Sequence, residues 1–182
     1  MERIRKVSIW FKWIFMAGLV VYPLFVMVFW ALADQADLPY MLGVTMGNCY
    51  LSDIPVLSPL TWVSRLLAFS ACLLPMSATM VALYALVRLF SLYSRGEIFS
   101  RRNVQLIRWV GYALIARQIV DPFHQALLTL ALTMNNPEGE RLVSIGLSDS
   151  NITALLVGFV IVLISWVMDE GRKLKDEEAL VI

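Results

Sequence analysis

Charge is scarce in this sequence. Only 16% of its 182 residues are Asp, Glu, Lys or Arg, while 59% are hydrophobic, and a soluble domain carries about a quarter charged residues. The mean hydropathy of +0.72 sets the chain outside the soluble class. Histidine occurs once and cysteine twice, with no CxxC spacing, so neither a structural zinc site nor a disulfide framework is expected. No metal or cofactor is called for. The formal net charge of +1, with no aromatic interleaving of the basic residues, gives no reason to expect direct nucleic acid binding.

Long apolar runs are what the sequence does have. Trp13 to Ala33 is 21 residues without a charge, residues 66–87 are 22, and Ser150 to Met168 are 19, each the length of one membrane crossing. With a third span over 106–134, they predict an all-α integral membrane protein, a single membrane domain over 1–182 folded as a four-helix antiparallel bundle. The motif Ala31-Leu32-Ala33 resembles a signal peptidase site, but the apolar core is too long for a secretory signal, and an uncleaved anchor is expected. Residues 34–64 and 135–149 read as external loops, 93–105 as a cytoplasmic elbow and 169–182 as a tail with an amphiphilic helical extension. The first loop is too apolar for free solution, so part of it is expected on the membrane surface or capping the bundle.

Twelve of the 15 basic residues fall on the side of both termini; Arg65 and Arg141 fall opposite and Arg117 within the membrane. By the positive-inside rule both termini are cytoplasmic. Gly96 is placed to end the second helix and Ser100 to cap the third. Arg95, Arg101, Arg102, Arg108, Lys173 and Lys175 are the candidate contacts for anionic lipid or a cytoplasmic partner. Ser70, Ala71, Ser77, Ala78, Ala82 and Ala85 predict a close-packing face on the second helix. Pro23, Pro75 and Pro122 lie inside predicted spans and each frees a carbonyl one turn earlier. Cys49 and Cys72 are expected at different depths, unbridged.

The third span carries the candidate site. Arg117, Asp121 and His124 share one helical stripe, with Gln118 and Gln125 on its flank. Ionisable groups at hydrocarbon depth must face other helices or enclosed water. Two readings stay open: a structural Arg117–Asp121 pair at i, i+4 satisfied by its polar neighbours, or a solute or proton site of a small transporter or channel component. No nucleophile with an activating base, paired carboxylates or metal cluster is recognisable beside the stripe, and Cys72 reads as a packing residue, so catalysis is not expected.

The elbow GEIFSRRNVQLIRWVG, running into the third span, and the tail EGRKLKDEEALVI resemble bacterial membrane proteins grouped as domain of unknown function 2975. That resemblance implies residence in the bacterial cytoplasmic (inner) membrane and association with a small helix-turn-helix regulator. It supplies no activity and no catalytic residue. Together these readings favour a non-enzymatic interaction or regulatory protein, with membrane lipids, a cytoplasmic regulatory protein and a second copy as candidate partners, over the transporter.

Overall fold

The computed structural model describes residues 2–32, 54–97, 100–146 and 149–178. Four helices make up the regular structure of these residues: α1 Glu2–Leu32, α2 Trp62–Ser94, α3 Arg101–Thr133 and α4 Asp149–Glu178. All-α is thus the observed class. The helices outrun the predicted spans because the apolar core of each is continued by polar or basic turns that favour helix equally well. The elbow accordingly narrows to the residues between Ser94 and Arg101, the first loop ends before Trp62, and the tail continues α4 to Glu178.

Among the described residues three helices are long and apolar enough to cross a membrane: Arg3–Leu32, Trp62–Ser94 and Asp149–Leu174. α3 is 33 residues long but carries Arg101, Arg102, Arg108, Arg117 and Asp121, and falls short on hydropathy. Large apolar side chains cover the outside of the candidate spans, among them Trp10, Trp13, Val21, Leu66, Phe159 and Leu163. Exposed apolar surface on this scale is what a hydrocarbon solvent accepts and water does not.

Helix ends are fixed locally. Thr61 caps α2, its hydroxyl accepting from Ser64 N at 3.3 Å. Gly96 terminates α2 at φ +85°, a left-handed backbone suited to glycine, with Glu97 N bound to Leu92 O and Gly96 N to Tyr93 O in a Schellman closure. Ser100 caps α3 by accepting from Asn103 N at 3.3 Å. Both predicted end signals are therefore formed. Pro23, Pro75 and Pro122 all lie within helices.

The chain forms two compact units. The first comprises 1–21, 77–117 and 153–182; the second comprises 22–76 and 118–152. In the first unit Phe11, Phe15 and Phe90 stack with centroids 5.2 to 6.0 Å apart, and α3 meets α4 at Gly111 and Gly158. Arg108 reaches from α3 to α4, donating to Ser165 Oγ at 3.2 Å and lying 3.6 Å from the Asp169 carboxylate. In the second unit Val26, Phe29, Trp30, Ala68, Cys72, Leu128 and Leu132 form a core. Ala71, Ala82 and Ala85 of the predicted packing face are buried, whereas Ser70 and Ser77 are exposed. The buried positions of α2 run 64, 68, 71/72, 75, 82, 85, 89 and 92, the spacing of one helical stripe, which leaves 70 and 77 on its far side.

Cys72 is a buried free thiol. Cys49, the covering role proposed for the first loop and the final residues of the tail lie outside the described residues.

Candidate functional site

The polar groups of the third predicted span sort into two sets. Asp121, His124 and Gln125 are buried, Arg117 and Gln118 half-buried. Arg117 is not a partner of Asp121. The carboxylate instead accepts from Gln125 Nε2 at 2.9 Å and from Asn151 Nδ2 of α4 at 3.0 Å, both on Oδ2, while His124 Nδ1 stands 3.8 Å from Oδ1. The expected i, i+4 ion pair is thus replaced by amide donors on the same helix and the next. A carboxylate offers only acceptor sites, and short amides fill them without desolvating a guanidinium.

His124 is 3% exposed. Its Nε2 lies 3.7 Å from the Cys72 thiol of α2, and that sulfur accepts from the Trp30 indole N–H of α1 at 3.3 Å. Trp30 can only donate. The direction of the Cys72–His124 contact follows the imidazole tautomer, and the buried His124 Nδ1 makes no hydrogen bond among the described residues, the Asp121 carboxylate standing beyond reach of one. Side chains from all four helices thus gather around His124 and Asp121, and Gln125 and Asn151 donate to the carboxylate. Sequence spacing hid this arrangement: Trp30, Cys72 and Asn151 are remote from 121 in the chain, and a tryptophan or a lone cysteine in an apolar run carries no polar signal.

The geometry places a thiol against an imidazole and a carboxylate, so the expectation that no nucleophile accompanies the stripe needs correction. Chemically the set is nonetheless enclosed. Cys72 is 3% exposed, and the neighbouring groove of about 330 Å³ is walled by Leu67, Ala71, Leu127, Leu130, Ala131 and Met134 with Ser70. None of the polar cluster lines that groove.

The stripe continues beyond the residues the sequence singled out. Gln125 Oε1 accepts from Gly146 N at 2.9 Å, Thr129 Oγ1 from Ser144 N at 3.1 Å and Thr133 Oγ1 from Leu142 N at 3.1 Å. Four helical residues advance about 6 Å and two extended residues about 6.7 Å, so side chains at i, i+4, i+8 meet alternate amides of a strand-like segment. Asn136 does the same for the segment before α2, accepting from Leu57 N at 3.2 Å and donating to Pro55 O at 2.7 Å. Asn135 donates to Ser64 Oγ at 2.8 Å.

The basic candidates divide as well. Arg95, Arg101 and Arg102 are exposed, and none is bound to a described acidic side chain. Arg108 is taken up by Ser165 and Asp169, and Lys173 pairs with Glu170 at 3.0 Å. The side chain of Lys175 lies outside the described residues. Among the described residues no cluster of three or more His, Cys, Asp or Glu could hold a metal ion.

The model of one family, described as a protein of unknown function (DUF2975), matches residues 51–182. No curated protein and no solved structure matches the chain.

Proposed function

We propose that this chain, which belongs to the DUF2975 family of proteins of unknown function, is a non-enzymatic component of the bacterial cytoplasmic membrane that spans it four times and offers a basic turn to an acidic cytoplasmic partner. The carrying observation is the turn between α2 and α3. Gly96 closes α2 on one side of it and Ser100 caps α3 on the other, with Asn103 donating to Glu97 O, while Arg95, Arg101 and Arg102 stay exposed. Arg101 and Arg102 stand on the first turn of α3, and guanidinium groups carried by helical backbone lose little further freedom on binding.

Four spans follow if α3 crosses with the others. Its Asp121 carboxylate is bonded by Gln125 and Asn151, and Arg108 by Ser165 and Asp169, which supports carrying these charges at hydrocarbon depth. Of the chain's 15 basic residues only Arg65 and Arg141 belong to the second unit, and that imbalance supports a cytoplasmic location for both termini and the basic turn. The burial of Trp30, Cys72, His124 and Asp121, none of which lines the adjoining groove, supports an interaction role over transport.

The test uses the full chain in native membranes. In a Cys49→Ser background, Glu97→Cys should react with an impermeant maleimide only after permeabilisation, and Glu138→Cys in intact cells. The Arg95→Ser, Arg101→Ser, Arg102→Ser variant should insert normally and lose the cytoplasmic protein recovered with wild type at low salt. Undiminished recovery would overturn the interaction reading.

A further inference from the structure

α1 turns two different faces to its surroundings. Ser8 is buried, Phe11 and Phe15 stack on Phe90 of α2, and a Cβ on Gly18 would touch Leu83, so this stripe faces α2. At 100° per residue Arg3, Lys6, Trp10, Trp13, Ala17 and Val21 fall on the opposite stripe. All six are exposed, Trp10 at 74% and Trp13 at 62%. Ion pairs among the described residues are made by Arg108, His124, Arg172 and Lys173, and by neither Arg3 nor Lys6. The Trp30 indole N–H is taken by Cys72, whereas those of Trp10 and Trp13 have no acceptor among the described residues.

We propose that Arg3, Lys6, Trp10 and Trp13 form a site for an anionic phospholipid of the leaflet on the N-terminal side, its phosphate held between the two cations and its glycerol-ester region against the two indoles. The order along the stripe is that of a membrane boundary. From Trp13 to Leu32 the helix advances close to 30 Å, about the depth of the hydrocarbon core. Indole rings favour the edge of that core, where the ring body is in hydrocarbon and the N–H meets polar groups. Lys6 lies about 6 Å and Arg3 about 10 Å outward of Trp10, within side-chain reach of a headgroup layer roughly 5–7 Å deep. Residues three apart are neighbours on a helix surface, so both cations reach one phosphate. Charge identifies the occupant. Glu2 is the only acid before Asp34, so a headgroup of net negative charge meets two uncompensated cations, whereas a zwitterionic one brings its own ammonium against them. The site rests on α1 crossing the membrane and is separate from the turn between α2 and α3.

Quenching of tryptophan fluorescence tests it, with the full chain in vesicles of phosphatidylcholine and a minor fraction of phosphatidylglycerol. Lipid composition is constant, and bromine is carried on the acyl chains either of the phosphatidylglycerol or of an equal amount of the phosphatidylcholine. Wild type should be quenched more by the brominated phosphatidylglycerol. Arg3→Gln with Lys6→Gln should weaken that lipid's binding about thirtyfold, at roughly fivefold per cation, and remove most of the excess. Trp10→Phe with Trp13→Phe should remove it as well, because the reporting indoles are gone. Arg3→Lys with Lys6→Arg should keep it, and so should the Arg95→Ser, Arg101→Ser, Arg102→Ser variant. All these positions are exposed, so the packed face of α1 is untouched. An excess that survives the glutamine or the phenylalanine substitutions, or that the turn variant loses equally, overturns the proposal. Equal quenching of wild type by both lipids also refutes the site while leaving the crossing of α1 intact. Both leaflets carry the same lipids, so the result does not depend on which side the termini occupy; labelling of Glu97→Cys reads that separately.

Discussion

Gly111 of α3 and Gly158 of α4 pack backbone against backbone: a methyl group on Gly111 would lie 3.0 Å from the Gly158 carbonyl oxygen and 2.6 Å from Val162 Cγ2. The converse holds, with Ile115 Cγ1 2.8 Å from a Cβ built on Gly158. Small residues let helices approach where lipid offers no hydrophobic drive between them.

Gly111→Ala and Gly158→Ala should therefore each lower stability by about 1–3 kcal/mol, the usual cost of overpacking. Gly171→Ala is the control, since nothing lies within 4 Å of its Cβ position. Thermal unfolding in detergent, followed by tryptophan fluorescence, separates them; equal melting of all three variants would contradict a tight crossing.

Removing the carboxylate of Asp121 should cost far more than removing the guanidinium of Arg117. Asp121→Ala strands the Gln125 and Asn151 amides, with about 1–3 kcal/mol at stake for buried donors left unpaired. Arg117→Leu breaks no bond to Asp121 and should be mild. Urea midpoints of the two variants check the order, and the reverse order would restore the ion pair expected from spacing.

Thr129→Val keeps the shape of the side chain and deletes the acceptor for Ser144 N. Loss of one such bond, about 1 kcal/mol, is roughly a fivefold change in the open population. Trypsin should cut after Arg141 faster by that order in Thr129→Val, and at the wild-type rate in Thr129→Ser. Identical cleavage of all three chains would show that the hydroxyl does not hold the segment.

Cys72 should resist alkylation by an uncharged maleimide in the folded protein and react promptly once denatured, as expected of a thiol 3% exposed. Mass spectrometry reads the adduct. Fast labelling of the folded chain would reveal an opening beside His124 and revive a chemical role for the thiol.

Much of the fold is legible in the sequence, because apolar runs between charged turns dictate where long helices form, and Gly96 and Ser100 mark their ends by mechanisms that act within a few residues. Asp121, His124 and Gln125 were visible as a stripe for the same local reason. Their partners were not. Trp30 and Asn151 meet the stripe through tertiary contact, and Thr129 and Thr133 extend it at a spacing that looks unremarkable in a helix until an extended segment lies alongside. Arg117 misled, since i, i+4 proximity permits an ion pair without requiring one when amides fill the carboxylate first. Gly111 and Gly158 gave no sign in sequence, because a close crossing depends on two glycines far apart in the chain.

The turn that joins α2 to α3 also bears on how the chain reaches its membrane. α3 lacks the hydropathy to partition alone, yet only the residues between Ser94 and Arg101 separate it from a strongly apolar neighbour. On the four-span reading, the translocation machinery would receive the two as a helical hairpin, with α2 carrying its reluctant companion into the bilayer during synthesis. Lengthening that linker would then impair biogenesis even where the mature contacts remain intact.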